Sequence, residues 1–230
     1  MTDTLATPTY IVGLDLGERR DFTALAILRR QELPTGEAVY DLVELDRWRG
    51  KGYSILPGKL REIVHALHQA GHKAQMEAGR YPSRDPNICI LVDHTGVGVA
   101  VVEEIRKAVN CIGITITGGD AVSGGGNDYR VPKRELVGST QVLLEQRRLR
   151  IAEALPLTPV ITQELENFKA KRSVLTGHDS YGAGEDWREG NHDDCVLAVA
   201  MACWYGEHCF DDGAWFDEIQ QYMNAQFSGW

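Results

Sequence analysis

From Cys195 to Trp204 the chain reads CVLAVAMACW, ten apolar residues in a row. A helix that is apolar all round has no face for water and must be packed on every side. Ten residues fall well short of the ~20 needed to cross a membrane. The segment is therefore an interior helix, and the rest of the chain must supply the sheet or helices that enclose it. At 230 residues and 43% hydrophobic content there is enough chain for one substantial core. Yet His192, Asp193 and Asp194 stand directly in front of this helix. A side-chain oxygen and a negative charge suit the free N–H groups and the dipole of a first turn, but one carboxylate suffices for that. A second has a purpose if something cationic, such as a metal ion, is held where the helix begins.

Three strand-like runs precede any helical pattern. Tyr10 to Asp15 is a short apolar run ended by Gly17, and Thr23 to Leu28 and Val39 to Leu45 follow at hairpin spacing around the turn signals of LPTGE. Together they predict an antiparallel meander. The period then changes, with Leu60, Ile63, Val64 and Leu67 marking a helix within Leu56 to Gln69. Ile88 to Val92 is apolar throughout and ends in Asp93, as a central strand buried on both faces does. Val99 to Val109 reads as a helix and Ile112 to Ile116 as a strand. After the Gly-rich loop TGGDAVSGGGNDYR, Lys133 to Gln146 reads as a helix with Pro132 near its start. A helix near Thr162 to Phe168 and a polar hairpin or loop from Lys169 to Gly190 lead into the apolar helix. This order predicts one α/β domain over residues 1–205, a mixed five-stranded sheet flanked by helices. Residues 206–230 read as an acidic amphipathic helix or tail with an aromatic stripe (Trp215, Phe216, Tyr222, Phe227), a docking or regulatory element.

Neither a membrane span nor a secretory leader is visible, since MTDTLATPTY lacks the basic-then-apolar layout of a signal. A soluble protein of the cytoplasm is expected. Five cysteines without a C-x-x-C pair read as reduced, mostly buried thiols. His65, His68 and His72 read as a solvated helix face rather than a zinc site. The net charge of −9 argues against nucleic acid as a partner, but it is unevenly spread. Residues 206–230 hold five acids and no Lys or Arg, leaving 24 basic against 28 acidic side chains elsewhere. A cluster of catalytic carboxylates accounts for that difference, so DNA remains open.

Three sets of acids stand at the ends of apolar elements: Asp15, Asp93 and the pair Asp193–Asp194. A carboxylate at the edge of a buried strand is costly unless paired or metal-bound. All-oxygen sites suit hard cations such as Mg²⁺ or Mn²⁺. Two such ions ~4 Å apart activate a water and stabilise the leaving oxygen of a phosphodiester, with no nucleophilic side chain required.

The segments GLDLGERRDFTALAIL, LVDHTGVGVAVVEEIRK, VPKRELVGSTQVLLEQRRLRI and HDDCVLAVAMA, spanning roughly residues 10–205, together resemble the nuclease domain of the large terminase subunit of tailed phages. The resemblance implies a ribonuclease H-like fold and metal-dependent cutting of double-stranded DNA during genome packaging. It implies a two-metal Mg²⁺ or Mn²⁺ site in which Asp15 is the first-strand ligand and Asp93 the second acid. The Asp193–Asp194 pair fills the third position, with Asp194 the direct ligand and Asp193 auxiliary. One aspartate of that pair is then expected to cap and support the helix and the other to bind metal. Lys169, Lys171 and Arg172, which introduce a segment where the resembled family has a hairpin near DNA, are candidate DNA contacts. So are Arg19, Arg20, the run Arg47 to Lys51, and Lys133. Implied partners are a packaging ATPase, a portal or a small terminase subunit, with no membrane.

Large terminase subunits carry an ATPase domain ahead of the nuclease, whereas G-x-x-x-x-G-K-[ST] occurs nowhere here, so no ATP hydrolysis is expected of this chain alone. Asp15, Gly17 and Thr23 also resemble the first phosphate loop of actin-like ATPases, but that fold needs two such domains and gives the HDD helix no role. A Holliday-junction resolvase of the same class would use the same acids on branched DNA. A non-cutting module that binds DNA or a packaging partner would be marked by loss of an acid, and none is missing.

Overall fold

The computed structural model describes residues 9–17, 21–79, 81, 85–96, 98–174 and 193–210, with only the backbone for 168–174. The first three strands, β1 (Thr9–Asp15), β2 (Thr23–Glu32) and β3 (Ala38–Trp48), form the expected antiparallel meander. At the β2–β3 turn Gly36 takes φ +85°, a left-handed conformation that glycine adopts without steric cost. Helix α1 (Leu56–Glu77) leads to β4 (Asn87–Asp93), which pairs parallel to β1. Helix α2 (Gly98–Arg106) leads to β5 (Ile112–Thr117), parallel to β4. A short hairpin of β6 (Ser123–Gly125) and β7 (Asp128–Pro132) precedes α3 (Lys133–Glu145). Strand β8 (Leu149–Ile151), α4 (Thr158–Val174) and α5 (Asp194–His208) complete the described chain.

The sheet order is β6-β7-β5-β4-β1-β2-β3-β8. The five strands legible in the sequence lie side by side at its centre, so the fold is the expected mixed α/β sheet flanked by helices. Three short strands extend it at the edges, making eight rather than five. The Gly-rich segment expected to be a loop supplies β6 and β7. Its exposed glycines carry no alternating pattern, which is why it does not read as strand.

Side-chain alternation sends the two faces of the sheet into separate cores. Ile11 on β1 and Leu91 on β4 point into a core built with α3, α4 and α5. Val12, Leu14, Ile90 and Val92 point the other way, into a core built with α1 and α2. By the same period of two, Asp15 and Asp93 share the face covered by α5. That helix lies so close to β1 that a Cβ on Gly13 would fall 1.9 Å from the carbonyl oxygen of Ala198. Every residue of α5 from Asp194 to Gly206 is buried, as its uniform apolarity requires.

Helix α4 runs to Val174, so Lys169, Lys171 and Arg172 sit on its last turns and not at the start of a hairpin. Lysine, alanine and arginine are good helix formers, and the segment continues the helix that precedes it. Residues 175–192 lie outside the described residues. Helix α5 continues past residue 205 to His208, and Glu207 accepts hydrogen bonds from the Tyr40 hydroxyl (2.8 Å) and Arg148 (2.6 Å). The start of the acidic segment is thus tied to β3 and to Arg148, just before β8, while its aromatic stripe lies outside the described residues. All five cysteines are free thiols. Among the described residues no helix is long and apolar enough to cross a membrane.

Candidate active site

Asp15 and Asp93 end two neighbouring parallel strands whose register pairs Leu14 with Val92. The two carboxyls therefore lie side by side at the same end of two central strands, close enough to influence each other. Helix α5 brings the third set. Its point of closest approach is Ala198 on Gly13. Asp194 lies one turn back along the helix, about 6 Å away at 1.5 Å per residue. Asp15 lies two residues on along the strand, again about 6–7 Å. The two advances match, so the contact at Gly13 delivers Asp194 to Asp15.

Burial and like charge act together here. Asp15 and Asp194 are 6% and 7% exposed. Burial pushes the Asp15 carboxyl well above the usual carboxylate range, and repulsion from Asp93, Asp194 and Asp193 adds to it, with Lys133 pulling the other way. Burial also raises Asp93, whose Oδ1 accepts the Thr95 N–H at 2.8 Å; that bond and the contact with Asp15 oppose the rise. Lys133, at the start of α3, donates from Nζ to Asp193 Oδ2 at 2.6 Å. The structure thus engages Lys133 with the acids themselves, where the sequence offered it as a surface contact to phosphate.

Asp193 is the N-cap of α5 but makes no side-chain capping hydrogen bond. The division of labour expected within the pair, one aspartate capping and one free for a cation, is therefore not what forms. The capping bond comes from Glu164 of α4, whose Oε2 accepts the Val196 N–H at 3.0 Å. Its other oxygen accepts from Arg47 at 3.1 Å. Glu164 is 5% exposed, and burial pushes its carboxyl up to about 7, with Asp194 and Asp193 raising it while the Val196 bond and Arg47 lower it. This fifth acid was missed in the sequence. Its signal was there, because Val160, Ile161, Glu164 and Leu165 fall on one helical stripe, and a carboxylate at a core position of such a stripe requires a partner.

The other candidates divide. Arg47 is turned inward to Glu164, with its guanidinium 4.0 Å from the centre of the Phe22 ring, and Arg49 lies 4.1 Å from the same ring. Arg19, Arg20 and the side chains of Lys169, Lys171 and Arg172 lie outside the described residues. His72 meets Asp85 at 2.8 Å on the exposed face of α1.

The donor set is oxygen-only and strongly anionic, which fits a hard divalent cation and no soft one. Among the described residues no three of these side chains are already closed around a common point as ligands. Chemically, the arrangement gathers acidic groups in a poorly hydrated place.

Solved structures match the chain at low identity. The large terminase nuclease from thermophilic phage G20c matches at 20% identity with a TM-score of 0.46, covering 87% of this chain and 82% of that one. The human cytomegalovirus terminase nuclease domain matches at 13% identity with a TM-score of 0.45, covering 93% and 88%. The yeast mitochondrial Holliday junction resolvase Ydc2 matches at 11% identity with a TM-score of 0.36, covering 97% and 86%. No curated protein sequence gives a significant match. Residues 12–205 match the Terminase RNaseH-like domain, a span that reaches from β1 through the buried part of α5, and the chain belongs to that family.

Proposed function

We propose that this chain is a divalent-metal-dependent endonuclease that hydrolyses double-stranded DNA with little sequence preference. Asp15, Asp93 and Asp194 would hold Mg²⁺ or Mn²⁺, with Asp193 as an auxiliary ligand. The observation that carries the reading is the burial of Asp15 against three further acids, an arrangement that costs stability unless a cation joins it. Membership of the terminase family supports it. When bound, a pair of such ions would activate water and stabilise the leaving oxygen of the phosphodiester.

The chain's own residues have distinct tasks. Asp15 and Asp93 present their oxygens from adjacent strand ends, a rigid support that fixes their separation. Lys133 holds the Asp193 carboxylate by its ion pair and offsets part of the charge. Arg19 and Arg20, after β1, and Lys169, Lys171 and Arg172, late on α4, are proposed contacts to the phosphate backbone, which carries no sequence information. Genome packaging would supply the DNA, with a packaging ATPase, a portal or a small terminase subunit as partners.

The test is supercoiled plasmid incubated with the purified protein and Mg²⁺, Mn²⁺, Ca²⁺ or EDTA. Cutting with Mn²⁺ and Mg²⁺, weak or absent with Ca²⁺ and abolished by EDTA, is expected. Equal cutting in excess EDTA would remove the metal-site reading.

A further inference from the structure

We infer that Glu164 is a positioning residue for the acids at the start of α5, acting through the Val196 N–H and, with Arg47, locking that turn to the segment that follows Asp15. The inference rests on the metal-dependent reading above.

A first helical turn leaves N–H groups without intrahelical partners, and the N-cap side chain ordinarily takes one of them. Here Asp193 makes no such bond, and its carboxylate is engaged by Lys133. A carboxylate from a different helix fills the role, as Glu164 Oε2 accepts from Val196, two residues after Asp194. Capping from outside leaves neither aspartate of the pair needed for that bond, and both act on Asp15 at the end of β1. The other Glu164 oxygen holds Arg47, and the Arg47 guanidinium lies against Phe22. Phe22 belongs to the connection that leaves Asp15. There the Gly17 N–H donates to Thr23 Oγ1 at 3.2 Å, and a Cβ on Gly17 would fall 2.2 Å from the Phe22 carbonyl oxygen. A continuous set of contacts therefore joins the end of β1, which carries Asp15, to the start of α5, which carries Asp194. As a device for stability alone a buried ion pair is weak, because desolvation offsets most of its attraction. Placing one beside Asp193 and Asp194 makes that worse. As a device for holding two ligand-bearing ends in register it is well suited.

The experiment compares two double variants with the wild type, reading melting temperature in EDTA, Mn²⁺ affinity by calorimetric titration, and plasmid cutting. E164L/R47M removes both charges together, so no unpaired charge is buried and the metal-free melting temperature stays near that of the wild type. It should nevertheless bind Mn²⁺ roughly 10- to 100-fold more weakly and lose cutting in kcat rather than KM, as expected when a group that orients a ligand is lost. E164Q/R47M restores an oxygen acceptor to Val196 without the ion pair and should recover the part of that Mn²⁺ affinity carried by the Val196 bond, but not the part carried by the Arg47 lock. Undiminished Mn²⁺ binding and cutting by E164L/R47M overturns the inference and leaves the nuclease reading standing. Should E164L/R47M fail to fold, E164Q/R47M decides alone, because wild-type Mn²⁺ binding and cutting in a folded variant without the Arg47 lock also overturns the inference. Wild-type protein that takes up no Mn²⁺ overturns the functional reading and this inference with it.

Discussion

Asp15 and Asp41 are the same residue type in the same sheet, and their surroundings push their carboxyls in opposite directions. Asp41 sits on β3 directly opposite Arg29 of β2 and Arg150 of β8. Its Oδ2 accepts from Arg29 at 2.8 Å and its Oδ1 from Arg150 at 2.6 Å. Burial alone would raise Asp41, but those two guanidinium groups outweigh it and hold the carboxyl below its ordinary range. Asp15 has burial and the repulsion of three other acids, which the pull of Lys133 does not offset. A sheet that pairs one aspartate with arginine on both sides demonstrates how such charge is normally settled. The unsettled one is where the proposed metal site lies.

Asp15→Asn breaks the comparison most sharply. The near-isosteric amide removes a proposed metal ligand and part of the repulsion at once. Cutting should fall at least ~100-fold, the upper end of what loss of a mere ligand-orienting group costs. The melting temperature in EDTA should hold steady or rise. Mg²⁺ or Mn²⁺ should stabilise the wild type by mass action, about 2.7 kcal/mol at a hundredfold excess over Kd, and the variant far less. Thermal melts of both proteins with and without metal provide the measurement. A destabilised variant that still cuts would place Asp15 outside the active site.

How much of this was legible beforehand follows from the physics of each part. The meander, the buried β4 and the interior helix α5 were legible because their apolar periods are strong and local. So were Asp15, Asp93 and the Asp193–Asp194 pair, since each interrupts or ends such a pattern. Strand β8 was not, because three residues paired to Tyr40–Leu42 leave no period to detect. The partner of Asp193 was not, because Lys133 lies sixty residues away and only the packing of α3 against α5 brings them together. Capping by Glu164 was hidden for the same reason. A helix end normally finds its cap within its own sequence, and a cap donated by another helix is a tertiary fact.

The two regions should also respond to pH with opposite sign. Asp15, Asp93 and Glu164 have folded-state pKa values above those of the unfolded chain. The native state then binds more protons, and its stability falls as pH rises from the unfolded values near 4 through the folded ones. For Glu164 that window extends to about 7. Asp41, held low, contributes stability that is present above its unfolded value and lost as pH falls through its folded one. In EDTA, melting temperature should therefore decline as pH rises from about 4 to about 7, and Asp15→Asn should flatten part of that decline. Saturating Mg²⁺ should reverse the slope, since metal and protons compete for the same oxygens. Calorimetric scans of wild type and variant across this range give the difference directly. An Asp15→Asn profile parallel to the wild type in EDTA would contradict the assignment.

The smallest effect belongs to Asp41→Asn, and its smallness is informative. The variant keeps an oxygen acceptor but gives up the charge that Arg29 and Arg150 share. Both arginines are substantially exposed, 42% and 54% at the side chain, so water replaces much of what they lose. Exposed ion pairs contribute about 0–1 kcal/mol, and a cost of about that size is expected here. The loss should shrink further in high salt, which screens exposed pairs more than buried ones. Cutting and the metal-induced gain in melting temperature should stay at wild-type levels, because Asp41 lies on β3, between β2 and the edge strand β8, away from the β1 and β4 strand ends. Asp15→Asn and Asp41→Asn thus form a matched pair with identical chemistry at the mutated atom. Asp15→Asn should abolish function without loss of metal-free stability, and Asp41→Asn should lower stability slightly without loss of function. Equal loss of cutting in both would mean that net sheet charge governs activity, and the contrast between the two aspartates would have no functional content.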